Sequence, residues 1–248
     1  PMKASKKERG RRSLLGAVVF FLCTGLAAAA QLRLAPIRVQ LAPGQRAAAL
    51  TVTNEGGEPA AFQIRAYAWS QTAQGPDDLA PTEELLVSPP LGKLEPGTQQ
   101  VVRLVLRRPP AEREASYRIL FDEIPPPAAP GTVRITIRQS IPVFALPQTK
   151  VAARLAWHIE RGADGTAWLT ALNQGSRHAE VREVALTTAE GAALAVAPRP
   201  LPYVLAGATQ RWRIKAPTPP AGQVLRLTAR VDAATVDERV SVGNSAAP

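Results

Sequence analysis

Few side chains in this 248-residue chain suit covalent or metal chemistry: two histidines, His158 and His178, and one cysteine, Cys23. Cysteine-rich zinc sites, intrachain disulfides and Cys/His nucleophile pairs need more thiols than the chain carries beyond its first segment. The two histidines fall in different expected strands with no acidic or nucleophilic motif around them, which fits surface or hydrogen-bonded core positions better than catalysis. No phosphate-cradling glycine loop and no Walker lysine occur. The sequence thus predicts no enzyme, no cofactor and no metal, and leaves residues that bind through shape and charge.

The most regular of these form the segment TVRITIRQSIPVFAL, Thr132 to Leu146. Val133, Ile135 and Ile137 share one strand face, continued by Ile141 and Val143, while Arg134, Thr136, Arg138 and Ser140 share the other. PPPAAPG precedes it, a stiff stretch unable to pair with neighbours. Two readings stay open. The β-branched side chains fill the core of their own sandwich, or the segment is an edge strand lent to another protein's sheet. Three such side chains in a partner's groove would contribute about 1.5 to 3 kcal/mol each, before ordering costs.

The elements around that segment read as short strands. Twenty-four prolines interrupt almost every window long enough for a helix, and the apolar period is two. Strands are expected at Leu34 to Leu41, Ala48 to Asn54, Ala61 to Trp69, Gln100 to Arg107, Ser116 to Ile124 and Thr132 to Leu146. A second series follows at Ala153 to Glu160, Ala167 to Asn173, Ala179 to Thr187, Tyr203 to Leu205, Arg211 to Lys215 and Leu225 to Val231. Each series approaches the count of about seven short strands in an immunoglobulin-like sandwich. The expected fold is all-β, with domains at 31–147 and 148–248. Trp69, Trp157, Trp168 and Trp212 are expected to pack within the two sandwiches, and Glu123 and Arg103 to join an ion pair or a domain-orienting network.

Residues 1–30 read as a signal peptide. A basic head from Lys3 to Arg12 precedes the apolar run Leu14 to Leu26 and the alanines Ala27 to Ala30. That apolar run is shorter than the roughly 20 residues of a spanning helix, so cleavage near Ala30 with no stable membrane insertion afterwards is expected. Arg11-Arg12 leaves the export route open between the general and the twin-arginine pathways. The segment holds a net +5 of the chain's +10, and the remainder keeps +5. So modest a charge, without basic runs or interleaved aromatics, argues against nucleic acid as a partner.

Several blocks resemble the periplasmic pilus-assembly chaperones, the PapD-like family. SPPLGKLEPGTQQVVRL (Ser88 to Leu104) is similar to the family's PP, LxPG and VRL block. YRILFDEIPP (Tyr117 to Pro126) is similar to its YRxxxxEIPP block, and VFALP (Val143 to Pro147) stands where its donated strand meets the hinge. Trp157, Asn173-Gln174-Gly175, His178 and YVLAGATQRW (Tyr203 to Trp212) resemble the branch serving spore-coat-U-like pilins. The resemblance implies two immunoglobulin-like domains in an L shape. It implies a periplasmic chaperone that completes pilins lacking a final strand and delivers them to an outer-membrane usher. It also implies donated side chains Val133, Ile135, Ile137 and Ile141, and Arg38, in LAPIRVQL, as a cleft anchor for the pilin's terminal carboxylate, where a guanidinium can give two parallel hydrogen bonds. Many members carry a second cleft lysine where this chain has Pro142, and Arg138, on the same alternation face, is the expected substitute. Arg38 as an ordinary solvated strand arginine, and the whole chain as an exported adhesion or matrix module, are the alternatives.

Overall fold

The computed structural model of the chain describes residues 32–72, 77–125, 136–162, 164–215 and 217–243. Every regular element among them is a strand. The first ten are β1 (Leu32–Ala35), β2 (Val39–Leu41), β3 (Ala47–Asn54), β4 (Ala60–Ser70), β5 (Asp78–Pro81), β6 (Leu85–Ser88), β7 (Leu91–Leu94), β8 (Gln99–Leu106), β9 (Ala115–Ile124) and β10 (Arg138–Ala145). They form a sheet ordered β1-β3-β8-β6 and a second ordered β2-β10-β9-β4-β5, with β7 also on β4. The alternation seen in the sequence explains the layers: Leu50 and Val52 of β3, Phe62 and Ile64 of β4, and Ile119 and Phe121 of β9 meet in one core. The expected strand from Leu34 to Leu41 is two strands, broken at Pro36 to Arg38, so the chain leaves one sheet at β1 and enters the other at β2.

The remaining strands are β11 (Leu155–Arg161), β12 (Ala167–Asn173), β13 (Ala179–Thr187), β14 (Ala193–Leu194), β15 (Tyr203–Val204), β16 (Thr209–Ile214), β17 (Val224–Val231) and β18 (Ala234–Ser241). A sheet ordered β11-β12-β16 and another ordered β14-β13-β17-β18, with β15 on β13, enclose Ile159, Leu169, Trp212, Leu225 and Leu227. The result is a two-domain all-β fold of sandwich type. Both domains use one device at a strand end. Asn54 and Asn173 are fully buried, and each side-chain amide donates to two backbone carbonyls, Glu58 and Leu94 in one case, Arg177 and Val204 in the other. A buried amide left without such partners would cost about 1–3 kcal/mol.

Among the described residues no helix is long and apolar enough to cross a membrane, and no group of three or more potential metal ligands occurs. Residues 1–30, expected to be a signal peptide, lie outside the described residues.

Candidate functional site

β10 is the strand that the sequence singles out, and its two edges differ. Along one edge it pairs antiparallel with β9 over its whole length, from Arg138 opposite Asp122 to Ala145 opposite Ala115. Along the other edge β2 runs parallel to it only at Val143 to Ala145. From Arg138 to Pro142, about 16 Å of strand, no strand lies on that side among the described residues. Pro142, which has no N–H to offer a ladder, sits at the end of this open stretch.

The expected donated residues separate accordingly. Val133 and Ile135 lie outside the described residues. Ile137 is 60% exposed just ahead of β10, with its carbonyl accepting from Glu123 N at 3.4 Å. Ile141 does not continue an exposed row: it is 2% exposed and packed into the first core. Position 141 shares its face with 137, but the opposing sheet covers only the farther residue. Ile141 is therefore withdrawn from the candidate partner-binding set.

The opposite face of β10 and its neighbours carries the cations. Register puts Arg38, just ahead of β2, level with Pro142, which pairs with Arg118 of β9, which in turn pairs with Tyr67 of β4. Arg38 donates through Nη1 to Glu180 Oε2 at 3.1 Å, and its Nη2 lies 3.3 Å from His178 Nε2. Its guanidinium carbon is 5.6 Å from the centre of the Phe144 ring. Arg38 thus stands at the junction of the two domains rather than in open solvent.

Arg138 is elsewhere. It lies on the same face as Arg118 but four residues along the strand from Pro142, on the order of 13 Å. It pairs there with Asp122, which also accepts from Arg65 Nη2 at 2.7 Å. The Arg138 hydrogen bond, more than the one from Arg65, holds the Asp122 carboxyl below its ordinary range. Arg138 is engaged by that carboxylate and is not brought beside Arg38, so its expected role as second anchor is corrected.

The residue in that place is Arg118, which the sequence reading passed over. It is 2% exposed, its guanidinium carbon stands 3.8 Å above the Trp69 ring, and its Nη2 has no hydrogen-bond partner among the described residues. Burial pushes its pKa down, against the upward pull of Asp77. A buried guanidinium with a free donor is costly unless something completes it. The available signal was YR of YRILFDEIPP, but choosing Arg118 requires the β9–β10 register.

The junction is closed by Trp69, Phe144, Tyr203 and Leu205, which form an apolar cluster of their own. Trp69 therefore packs between the domains rather than within one. Phe144 stacks on His178, with centroids 3.7 Å apart and planes at 13°. Gln71 clamps the second domain from the first, its Oε1 accepting from Leu205 N at 2.8 Å and its Nε2 donating to Tyr203 O at 3.0 Å. His178 and Glu114 make the buried polar contact across the junction, at 2.7 Å. Glu123 and Arg103 take no part in it and form no ion pair with each other among the described residues; burial instead pushes the Glu123 carboxyl up. His158 is exposed and contacts Glu160 at 2.6 Å.

These features define an all-β protein of two sandwiches, with an open strand edge in the first and a cationic row leading to the domain junction. A family model described as pili and flagellar-assembly chaperone, PapD N-terminal domain, matches residues 31–150. Over those residues, which make up the first domain, the chain is similar to the PapD-like assembly chaperones. Solved structures share its fold. A chain of the CsuC–CsuE chaperone–tip adhesion subunit pre-assembly complex, from the archaic chaperone-usher Csu pili of Acinetobacter baumannii, is 22% identical, with 88% of this chain and 100% of that chain covered and a TM-score of 0.64. A chain of the Salmonella enterica SafA pilin–SafB chaperone complex is 20% identical, with 84% and 96% covered and a TM-score of 0.59. The Pseudomonas aeruginosa CupB2 chaperone is 20% identical, with 83% and 97% covered and a TM-score of 0.53. At these identities the likeness is one of fold. A search of curated protein sequences returns no match.

Proposed function

We propose that this protein is a periplasmic binding protein without catalytic activity that holds pilus subunits lacking their final strand and passes them to an outer-membrane usher. The subunit's open groove takes the free edge of β10 and the segment ahead of it, with Val133, Ile135 and Ile137 as the inserted side chains. Its terminal carboxylate is anchored at the domain junction by Arg38 and Arg118. The observation that carries this reading is the edge of β10 from Arg138 to Pro142, unpaired among the described residues while the rest of the strand is paired on both sides. Such an edge is an aggregation hazard unless a partner strand covers it, and strand addition gives affinity through main-chain hydrogen bonds and specificity through alternate side chains. The cationic row at the end of that edge gives the added strand a place to stop, since guanidinium groups hold a carboxylate with charge-assisted hydrogen bonds.

The test is co-expression with exported small β-proteins encoded nearby, followed by isolation of a one-to-one complex. Wild type is expected to yield the complex. Ile137→Asp is expected to lose it while remaining folded, and Arg38→Ala to weaken it with little change in thermal midpoint. Capture by Ile137→Asp at wild-type strength would defeat the strand-donation reading. A large stability loss in Arg38→Ala with normal capture would reassign that residue to structure.

A further inference from the structure

Glu114 and His178 make a buried ionisable pair that strand donation does not by itself require. Their side chains are 0% and 1% exposed. The Glu114 carboxylate accepts from His178 backbone N at 3.2 Å, and its two oxygens lie 2.7 and 2.9 Å from His178 Nδ1. An ionised carboxylate only accepts hydrogen bonds, so the proton of that contact sits on Nδ1. On the far side of the ring, Nε2 lies 3.3 Å from Arg38 Nη2. A guanidinium only donates, so Nε2 must offer its lone pair. One protonation state satisfies both contacts: a neutral imidazole with its hydrogen on Nδ1. The ring has little freedom to choose otherwise, because Phe144 stacks on one face and Tyr203 meets it edge-on at 5.6 Å.

We propose that Glu114 and His178 are positioning residues for Arg38: Glu114 fixes the tautomer of His178, and the Nε2 lone pair of His178 fixes the guanidinium so that its other edge faces an incoming carboxylate. This rests on the proposed capture of a client's terminal carboxylate by Arg38. A carboxylate already occupies part of that edge: Glu180 Oε2 takes Nη1, and Arg182 Nε holds Glu180 Oε1 at 2.6 Å. Glu180 therefore keeps a cationic partner if a client displaces it. An arginine side chain left to itself loses considerable rotamer entropy on binding, and fixing it beforehand moves that cost from the binding step to folding. A carboxylate that sets an imidazole's tautomer so that the imidazole can serve a third group is the same logic that orients a catalytic triad.

The first measurement needs no client. Imidazole nitrogen chemical shifts of the full exported chain near neutral pH should show His178 protonated on Nδ1 and bare on Nε2. Glu114→Gln, whose amide can donate to Nδ1, should raise the population of the opposite tautomer while preserving the packing of the junction. An imidazolium or an Nε2–H tautomer in the wild type overturns the proposal, whether or not any client binds. The second measurement uses an acetylated nonapeptide of alternating valine and serine with a free carboxylate, and its carboxamide form. Glu114→Gln should reduce the preference for the free carboxylate by about fivefold to tenfold, the size of one weakened charge-assisted hydrogen bond. Arg38→Ala should reduce the preference to what Arg118 alone supplies and leave nothing further for Glu114→Gln to remove. Equal effects of Glu114→Gln in the Arg38 and Arg38→Ala backgrounds overturn the positioning role in favour of a structural one. Failure of both peptides to bind wild type counts against client capture, and the tautomer then decides the positioning by itself.

Discussion

Ile137, just ahead of β10, and Ile141, within it, are four residues apart on the same strand face, and they live in different surroundings. Ile141 is 2% exposed and lies in the first core, whereas Ile137, just ahead of the strand, is 60% exposed. From Ile141 to Ala145 every residue is buried, and the last three have a strand on each side. From Arg138 to Ser140 the strand has one neighbour among the described residues, and its side chains are exposed or half-buried. The difference does not lie in residue type; it goes with where the opposing sheet and β2 stop. One half of the strand anchors the first domain to the second through Phe144, and the other half has no strand along its second edge among the described residues.

Substitutions should divide along the same line. Phe144→Ala removes a fully buried ring stacked on His178 and is expected to cost about 3–5 kcal/mol in urea unfolding. A loss under about 1 kcal/mol would mean that the junction contributes little to the fold. Ile141→Ala is expected to cost about 2–5 kcal/mol and Ile137→Ala no more than about 0.5 kcal/mol. Comparable losses at the two positions would erase the contrast between the halves. Arg118→Met keeps an unbranched side chain over Trp69 and removes the charge. It should leave the protein folded and lower client capture by about tenfold, the worth of one charged hydrogen bond. Unchanged capture would leave Arg38 as the sole anchor.

The contrast also marks what could be read from residue order. Long strands with alternating apolar residues were legible, and the expected Ala167 to Asn173 and Ala179 to Thr187 are β12 and β13 to the residue. β5, β6 and β7 were not, because four-residue strands interrupted by Pro81, Pro89 and Pro90 read as turns. β18 was missed because its face is charged and largely exposed, as an edge strand's often is. At the site, alternation correctly put Arg138 on the face shared with the cationic row. It could not give the level along the strand, which depends on the pairing of Arg38's strand with β10. Ile141 failed for the related reason that period two assigns a face but not what covers it. Glu180 and His178 approach Arg38 from 142 and 140 residues away, a proximity that no local pattern encodes.

The smallest expected effect tests the far end of the same strand. Asp122 accepts from Arg138 and Arg65 at the open half of β10, and those contacts, led by the Arg138 hydrogen bond, hold its carboxyl below the ordinary range. A carboxyl depressed in the folded state contributes stability that is complete above its ordinary pKa. That contribution fades as pH falls through the folded value, because the unfolded chain takes up the proton first. Asp122→Asn should therefore lower the urea midpoint slightly near neutral pH, by less than Ile141→Ala does, and the gap from wild type should shrink on acidification. Because Arg138 is 61% exposed, added salt should also narrow the gap. A gap that persists unchanged at acid pH and in high salt would mean that Asp122 acts through packing or neutral hydrogen bonds. The open half of β10 would then owe its order to something other than this cluster of charges.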